Sequence, residues 1–67
     1  MDDKQHQELK AHMQMRAESL RKKKRFSRED ITFEQELAEE KLGFRVSYAT
    51  MYDEFYWANL IRNRYGE

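Results

Sequence analysis

Apolar residues in the first third of the chain recur with the period of a helix. They are separated by four, four and three residues and therefore lie on one narrow face. These residues are Leu9, Met13, Ala17 and Leu20. The pattern predicts a helix from about Asp3 to Arg25, with Asp2 or Asp3 as its N-cap. Because the apolar face is so narrow, this helix has to pack against the rest of the chain or against another molecule.

Capping signals after residue 26 predict a second helix. Ser27 followed by Asp30 has the arrangement of a capping box or a near variant. Thr32 followed by Gln35 offers an alternative start one turn later. The apolar residues of this helix are Ile31, Phe33, Leu37, Ala38 and Leu42. Gly43 is expected to end it, because glycine readily adopts the left-handed conformation that follows a helix.

An aromatic-rich helix is predicted after a short alternation of apolar and polar residues at 44–48. We interpret the alternation as a connection, because no second convincing strand accompanies it. The third helix begins at Ser47 or Thr50 and continues to about Tyr65, where Gly66 ends it. One of its faces consists of Tyr48, Met51, Tyr52, Phe55, Ala58 and Ile61. The opposite side is apolar as well, so this helix needs cover on nearly all sides.

One aromatic edge of the third helix is a candidate contact surface. We call it the aromatic edge, and it consists of Tyr52, Tyr56, Trp57 and Leu60. Tyrosine and tryptophan side chains are enriched among the residues that dominate binding energy, and two short helices cannot cover the whole circumference of a third. The alternative, that these rings belong only to the core of a small bundle, remains open at this point.

Composition points to an all-α protein. The 67 residues include no proline and only two glycines, and strong helix formers are abundant. We expect a small three-helix bundle with a long polar N-terminal helix. Residues 1–26 would form this polar, basic helix, and residues 27–67 would form the aromatic-rich helical core of the same single domain. At this size, burial barely offsets the loss of conformational entropy, which favours a partner or self-association.

Charge is neutral in sum but segregated along the chain. Residues 10–28 carry eight basic side chains against one acid, and residues 29–42 carry six acids against one lysine. The densest part, which we call the basic run, consists of Arg21, Lys22, Lys23, Lys24, Arg25 and Arg28. This run can be a solvated helix end that complements the helix dipole, a contact for nucleic acid or a contact for an acidic protein.

Residues 37–52 resemble a helix-turn-helix. The resemblance rests on Ala38, on Leu42 and Gly43 at the turn, on the hydrophobic Phe44, and on Ser47 and Thr50 in the following helix. It implies that this following helix would enter the major groove of DNA. The segment departs from the family because the stretch expected to face DNA offers Tyr48, Asp53 and Glu54, and because its small residue lies one position early relative to the glycine. An ordinary helical hairpin that stops at Gly43 is the competing interpretation.

Catalytic and metal-binding chemistry finds little support in the sequence. There is no cysteine, and His6 and His12 are six residues apart, so they point to different faces of a helix. We interpret the neighbouring carboxylates Glu36, Glu39 and Glu40 as surface charge, because nothing supplies the buried environment that tunes a general acid. The glycines are isolated, which excludes a phosphate-cradling loop. We therefore expect no enzymatic activity, metal, cofactor or small-molecule substrate.

These observations favour a small helical module that docks the aromatic edge on a larger protein or on a second copy. In type, the chain is similar to small regulators and inhibitors encoded by phages and mobile elements. The alternative is a nucleic-acid-binding regulator that uses the basic run, with a degenerate helix-turn-helix at 37–52. The polar N-terminus and the lack of a long apolar stretch predict neither a signal peptide nor a membrane span, so we expect a cytoplasmic protein.

Overall fold

Three helices pack around one core in the computed structural model, which describes residues 2–61. They are α1 (Asp3–Leu20), α2 (Arg28–Leu42) and α3 (Tyr48–Trp57). The described part contains no strand, and residues 44–47 form a connection, as the sequence predicts. The expected all-α three-helix bundle is confirmed. Within the same residues, none of the helices is long and apolar enough to cross a membrane.

The N-terminus of α1 is fixed by a capping box. Asp2 is the N-cap, and its Oδ1 accepts a hydrogen bond from the backbone N–H of Gln5 at 2.8 Å. In return, Gln5 Oε1 accepts from the backbone N–H of Asp2 at 3.3 Å. This exchange satisfies two of the amide groups that a helix start leaves without partners. The predicted apolar face is confirmed, because Leu9, Met13 and Ala17 are buried and Leu20 is half-buried.

The prediction that α1 continues to Arg25 is wrong, because the helix ends at Leu20. The N–H of Lys23 bonds the carbonyl of Leu20, three residues back, at 3.0 Å, which tightens the chain into a turn. Phe26 then packs its ring edge-to-face on that of Phe55, with centroids 5.2 Å apart. A straight helix could not bring Phe26 inward and also leave Ser27 extended for the next N-cap.

Both ends of α2 follow the local signals in the sequence. Ser27, and not Thr32, is the N-cap; Asp30 Oδ2 accepts from the Ser27 N–H at 2.8 Å and from Ser27 Oγ at 3.1 Å. The hydrogen bond from Lys23, followed by that from the Ser27 backbone, holds the pKa of the Asp30 carboxyl below its usual value. At the other end, Gly43 has a φ of 81°, in the left-handed region, and its N–H bonds the carbonyl of Glu39.

Two side chains of α2 hold the connection to α3. Gln35 Nε2 donates to the carbonyl of Val46 at 2.8 Å, and Glu39 Oε2 accepts from the Val46 N–H at 2.9 Å. Val46 itself is buried in the core. Ser47 then caps α3, because its Oγ accepts from the backbone N–H of Thr50 at 3.1 Å. The start of α3 is therefore tied to the middle of α2.

The third helix is shorter than its apolar pattern predicts, since it ends at Trp57 and does not continue to Tyr65. Tyr65 and Gly66, at which we expected the end, lie outside the described residues. The helix ends because the backbone of Asn59 turns left-handed, with a φ of 60°. The N–H of Asn59 bonds the carbonyl of Tyr56 at 3.1 Å, which is half of a Schellman motif.

The other half of the motif brings the chain back over the core. The N–H of Leu60 bonds the carbonyl of Phe55 at 2.9 Å, and Leu60 packs against the buried cluster. The buried apolar side chains come from all three helices and from the connection between α2 and α3. They are Leu9, Met13, Ala17, Ile31, Ala38, Val46, Met51, Tyr52 and Phe55. Trp57 is thus the last residue of a helix whose core face is already covered.

Candidate interaction surfaces

The aromatic edge divides between the core and the surface. Tyr52 is buried, with 8% of its surface exposed, so it does not reach the surface that the sequence assigns to it. Leu60 is half-buried and packs towards the core. Tyr56 is also half-buried, whereas Trp57 is 61% exposed. Only Tyr56 and Trp57 therefore meet at the surface, with their rings edge-to-face at 5.2 Å.

Trp57 separates two shallow clefts, and we call the whole area the Trp57 surface. One cleft is lined by Tyr56, Trp57, Asn59 and Ile61. The other is lined by His6, Thr50, Asp53, Glu54 and Trp57. The Schellman motif shapes the first cleft, because it places Asn59 and Ile61 beside the last turn of α3. An indole ring with a cleft on each side and a second ring against its edge is suited to fill a pocket on another molecule.

A buried carboxylate, which the sequence analysis missed, joins α1 to α2. Glu34 is 2% exposed and forms a bidentate ion pair with Arg16. Arg16 Nε donates to Oε1 at 2.9 Å, and Nη2 donates to Oε2 at 2.7 Å. The hydrogen bonds to Glu34 raise the pKa of Arg16 above its usual value. This paired geometry fixes how α1 lies along α2, because both donors and both acceptors have to align.

A second buried carboxylate joins α1 to α3 beside the Trp57 surface. Glu54 is 4% exposed, and its Oε2 lies 3.1 Å from Nε2 of His6. Glu54 is one of the three residues that we expected to face DNA in the helix-turn-helix interpretation, so that part of the expectation is wrong. The signal for both acids was available in the sequence, because Glu34 lies three residues after Ile31 and Glu54 three after Met51, on the core faces of their helices.

The two histidines face different helices. His6 contacts Glu54 of α3, whereas the charged neighbours of His12 are Glu34, Arg16 and Lys41. Burial lowers the pKa of His12, and Arg16 and Lys41 act in the same direction, while Glu34 opposes them. Its Nε2 atom is buried and accepts or donates no hydrogen bond among the described residues. Residues 2–61 contain no group of three or more side chains that could hold a metal ion.

The basic run spans the connection from Arg21, the C-cap of α1, to Arg28, the first residue of α2. Arg21 Nη2 donates to the carbonyl of Ala58 at 3.2 Å, and Lys23 Nζ donates to Asp30 Oδ1 at 2.6 Å. Arg28 places its guanidinium over the ring of Tyr48, 5.1 Å from the centroid. The remaining cations, Lys22, Lys24 and Arg25, are exposed and form no ion pair within residues 2–61.

The helix-turn-helix interpretation finds little electrostatic support in α3. Its ten residues contain no basic side chain, while Asp53 is half-buried and Glu54 is buried. A helix that enters the major groove lies between rows of phosphates and normally presents basic or small polar side chains. Five residues, 43–47, separate α2 from α3, which is longer than the turn of three or four residues in that motif.

Comparison with protein-family models, with curated proteins and with solved structures found no match to this chain.

Proposed function

We propose that this protein is a non-enzymatic interaction module that docks the Trp57 surface on a larger protein and thereby regulates or inhibits it. The observation that carries the proposal is the position of Trp57, which ends a helix, is 61% exposed and stands between two clefts. Tryptophan is highly buried on average, and it is enriched among the residues that dominate binding energy at interfaces.

The apolar area that Trp57 leaves exposed is large enough to anchor a partner. A tryptophan buries about 150 to 250 Å² when it is fully covered, and well over half of this side chain is still exposed. Covering the remainder would contribute about 3 kcal/mol at roughly 25 cal/mol per Å². The contact of its ring with Tyr56 restricts the ring before binding, so less conformational entropy is lost when a partner covers it.

The test is affinity capture from the native cell with wild type and two matched variants. Trp57→Ala should weaken capture of the principal partner by about thirtyfold, which corresponds to about 2 kcal/mol. Met15→Ala is the control, because Met15 is 78% exposed on the outward face of α1. Both variants should keep the helical content of wild type in circular dichroism. Equal capture by Trp57→Ala and wild type would refute the proposal.

A nucleic-acid-binding regulator is the second candidate, and the exposed cations of the basic run favour it. Lys22, Lys24 and Arg25 could each contact a phosphate, in which case affinity for a duplex would fall steeply with salt, with a logarithmic slope of about −3. The same affinity-capture experiment distinguishes the two functions. The second candidate predicts that nucleic acid is captured with the protein and that added salt removes it. It also predicts that Trp57→Ala captures as much nucleic acid as wild type, and this combination would support the second candidate against the first.

A further inference from the structure

The outward side of α2 carries one exposed ring among acids. Phe33 is 60% exposed, and Glu29, Glu36 and Glu40 are exposed as well. We call these four residues the Phe33 face. They are spaced by four, three and four residues, so they form one straight stripe on the side of the helix opposite its buried residues. The stripe is about 16 Å long, at a rise of about 1.5 Å per residue.

Two acids of this face are unfavourable within their own helix. Glu29 suits the first turn of α2, where the helix dipole favours negative charge. Glu40 lies in the last turn, where the dipole repels it, and it is four residues from Glu36, a spacing at which like charges repel. No basic residue lies three or four positions from Glu36 or Glu40. Neither acid forms an ion pair within residues 2–61, so the described fold does not offset their repulsion.

The ring of this face is suited to contact a basic side chain. More than half of Phe33 is exposed, and a shallow cleft that Arg28 and Glu29 help to line lies beside it. The guanidinium of Arg28 lies over the ring of Tyr48, 5.1 Å from its centroid. A lysine or arginine of another molecule can pack its apolar stem on the Phe33 ring while its charged head reaches a carboxylate. The same kind of side chain thus covers the ring and neutralises the acids.

We propose that the Phe33 face docks a cationic amphipathic helix of another protein. A straight stripe with this spacing lets a second helix lie along α2 and touch it at every turn. In a parallel arrangement the partner carries basic, apolar, basic and basic side chains at spacings of four, three and four residues. In an antiparallel arrangement the order is reversed. The basic side chains then meet Glu29, Glu36 and Glu40, and the apolar one meets Phe33.

The described part of the chain does not itself supply such a helix. The basic residues of α1 are Lys4, Lys10 and Arg16, which are six residues apart and therefore lie on different faces. Arg16 is already paired with Glu34. The ten residues of α3 contain no basic side chain, and the exposed cations of the basic run before α2 lie outside the helices. Charge complementarity therefore favours a different protein over a second copy.

Synthetic helices test the proposal with the full chain. Two alanine-rich peptides of about 18 residues, long enough to be helical, carry three lysines and one leucine in the proposed pattern, one in each order. A third peptide has the same composition with its lysines on different faces. In fluorescence anisotropy at about 0.1 M salt, at least one ordered peptide should bind at least tenfold more tightly than the third. Equal binding of all three, or no saturation below about 1 mM, overturns the proposal.

Variants of the Phe33 face locate the binding. Phe33→Ala, and separately Glu36→Gln with Glu40→Gln, should each weaken binding of the ordered peptide at least tenfold. The double variant removes a repulsion, so it should resist urea at least as well as wild type, and its loss of binding is then not a loss of fold. A peptide whose two lysines that meet positions 36 and 40 are replaced by glutamate should bind Glu36→Lys with Glu40→Lys more tightly than wild type. Failure of this charge exchange overturns the proposal.

The controls separate this surface from the proposed function. Trp57→Ala changes α3 and Met15→Ala changes α1, so both should bind the ordered peptide like wild type. Binding that Trp57→Ala abolishes would place the peptide on the Trp57 surface and overturn the present proposal. A chain that sediments as a dimer, and as a monomer with Phe33→Ala, would show that a second copy covers the face, which also overturns it. None of these outcomes depends on the result of the affinity capture.

Discussion

At the residue scale, two buried carboxylates hold α1 in place. Glu34 of α2 bonds Arg16, and Glu54 of α3 bonds His6, so each of these two buried acids has its partner on α1. Burying a carboxylate is costly unless it is paired and hydrogen-bonded. The pairs therefore oppose any arrangement of the helices in which the partners do not meet. Their main effect is to select one alignment of the three helices. Their contribution to the free energy of folding is smaller.

We predict that Arg16→Met destabilises the protein by about 2 to 3 kcal/mol, because Glu34 stays buried without a partner. The figure lies below the cost of a fully enclosed pair, since the Arg16 side chain is 32% exposed. Adding Glu34→Leu should recover most of the loss, because a buried apolar pair of similar size avoids the desolvation of charge. Urea unfolding of both variants measures this, and a double variant no more stable than Arg16→Met would contradict the account.

The residues that could be predicted from the sequence are those that act locally. Ser27 and Gly43 are recognisable because a cap interacts with backbone only a few residues away. Glu34 was missed because its partner Arg16 lies 18 positions earlier, and an acid in a polar helix resembles surface charge. Tyr52 was assigned to the surface because a helix apolar on both sides does not reveal which side the neighbouring helices cover.

At the element scale, the sequence predicts which segments are helical better than it predicts the residues at which the helices end. The prediction for α2 succeeded at both ends, where capping residues are strong. The predictions for α1 and α3 extended the helices too far. Helical periodicity does not show at which residue tertiary packing makes the chain leave the helix. Phe26 leaves the line of α1 to reach Phe55, and Asn59 turns left-handed without being a glycine.

The end of α3 gives a prediction about Asn59. Asn59→Gly should leave stability unchanged or slightly higher, because glycine adopts a positive φ without steric cost. Asn59→Val should destabilise by about 1 to 2 kcal/mol, because a β-branched residue is strained in that conformation. Thermal unfolding of the two variants checks this. Equal stability of Asn59→Val and Asn59→Gly would show that the left-handed turn does not determine where α3 ends.

At the scale of the whole molecule, different surfaces carry different chemistry. The Trp57 surface lies at the end of α3, and α2 carries the exposed acids Glu29, Glu36 and Glu40. The exposed cations Lys22, Lys24 and Arg25 lie in the connection before α2. The formal charge is zero, so no long-range field draws the molecule to polyanions. Recognition would then depend on local complementarity, which is what the proposed docking through Trp57 requires.

The most direct test of the proposed function reads the environment of Trp57 itself. The chain has one tryptophan, so replacing it with 5-fluorotryptophan gives a single fluorine resonance. In the free protein this resonance should shift between light and heavy water, because the ring is exposed. In the complex with the captured partner the solvent shift should disappear, because the partner covers the ring. A resonance that keeps its full solvent shift in that complex would contradict docking through Trp57.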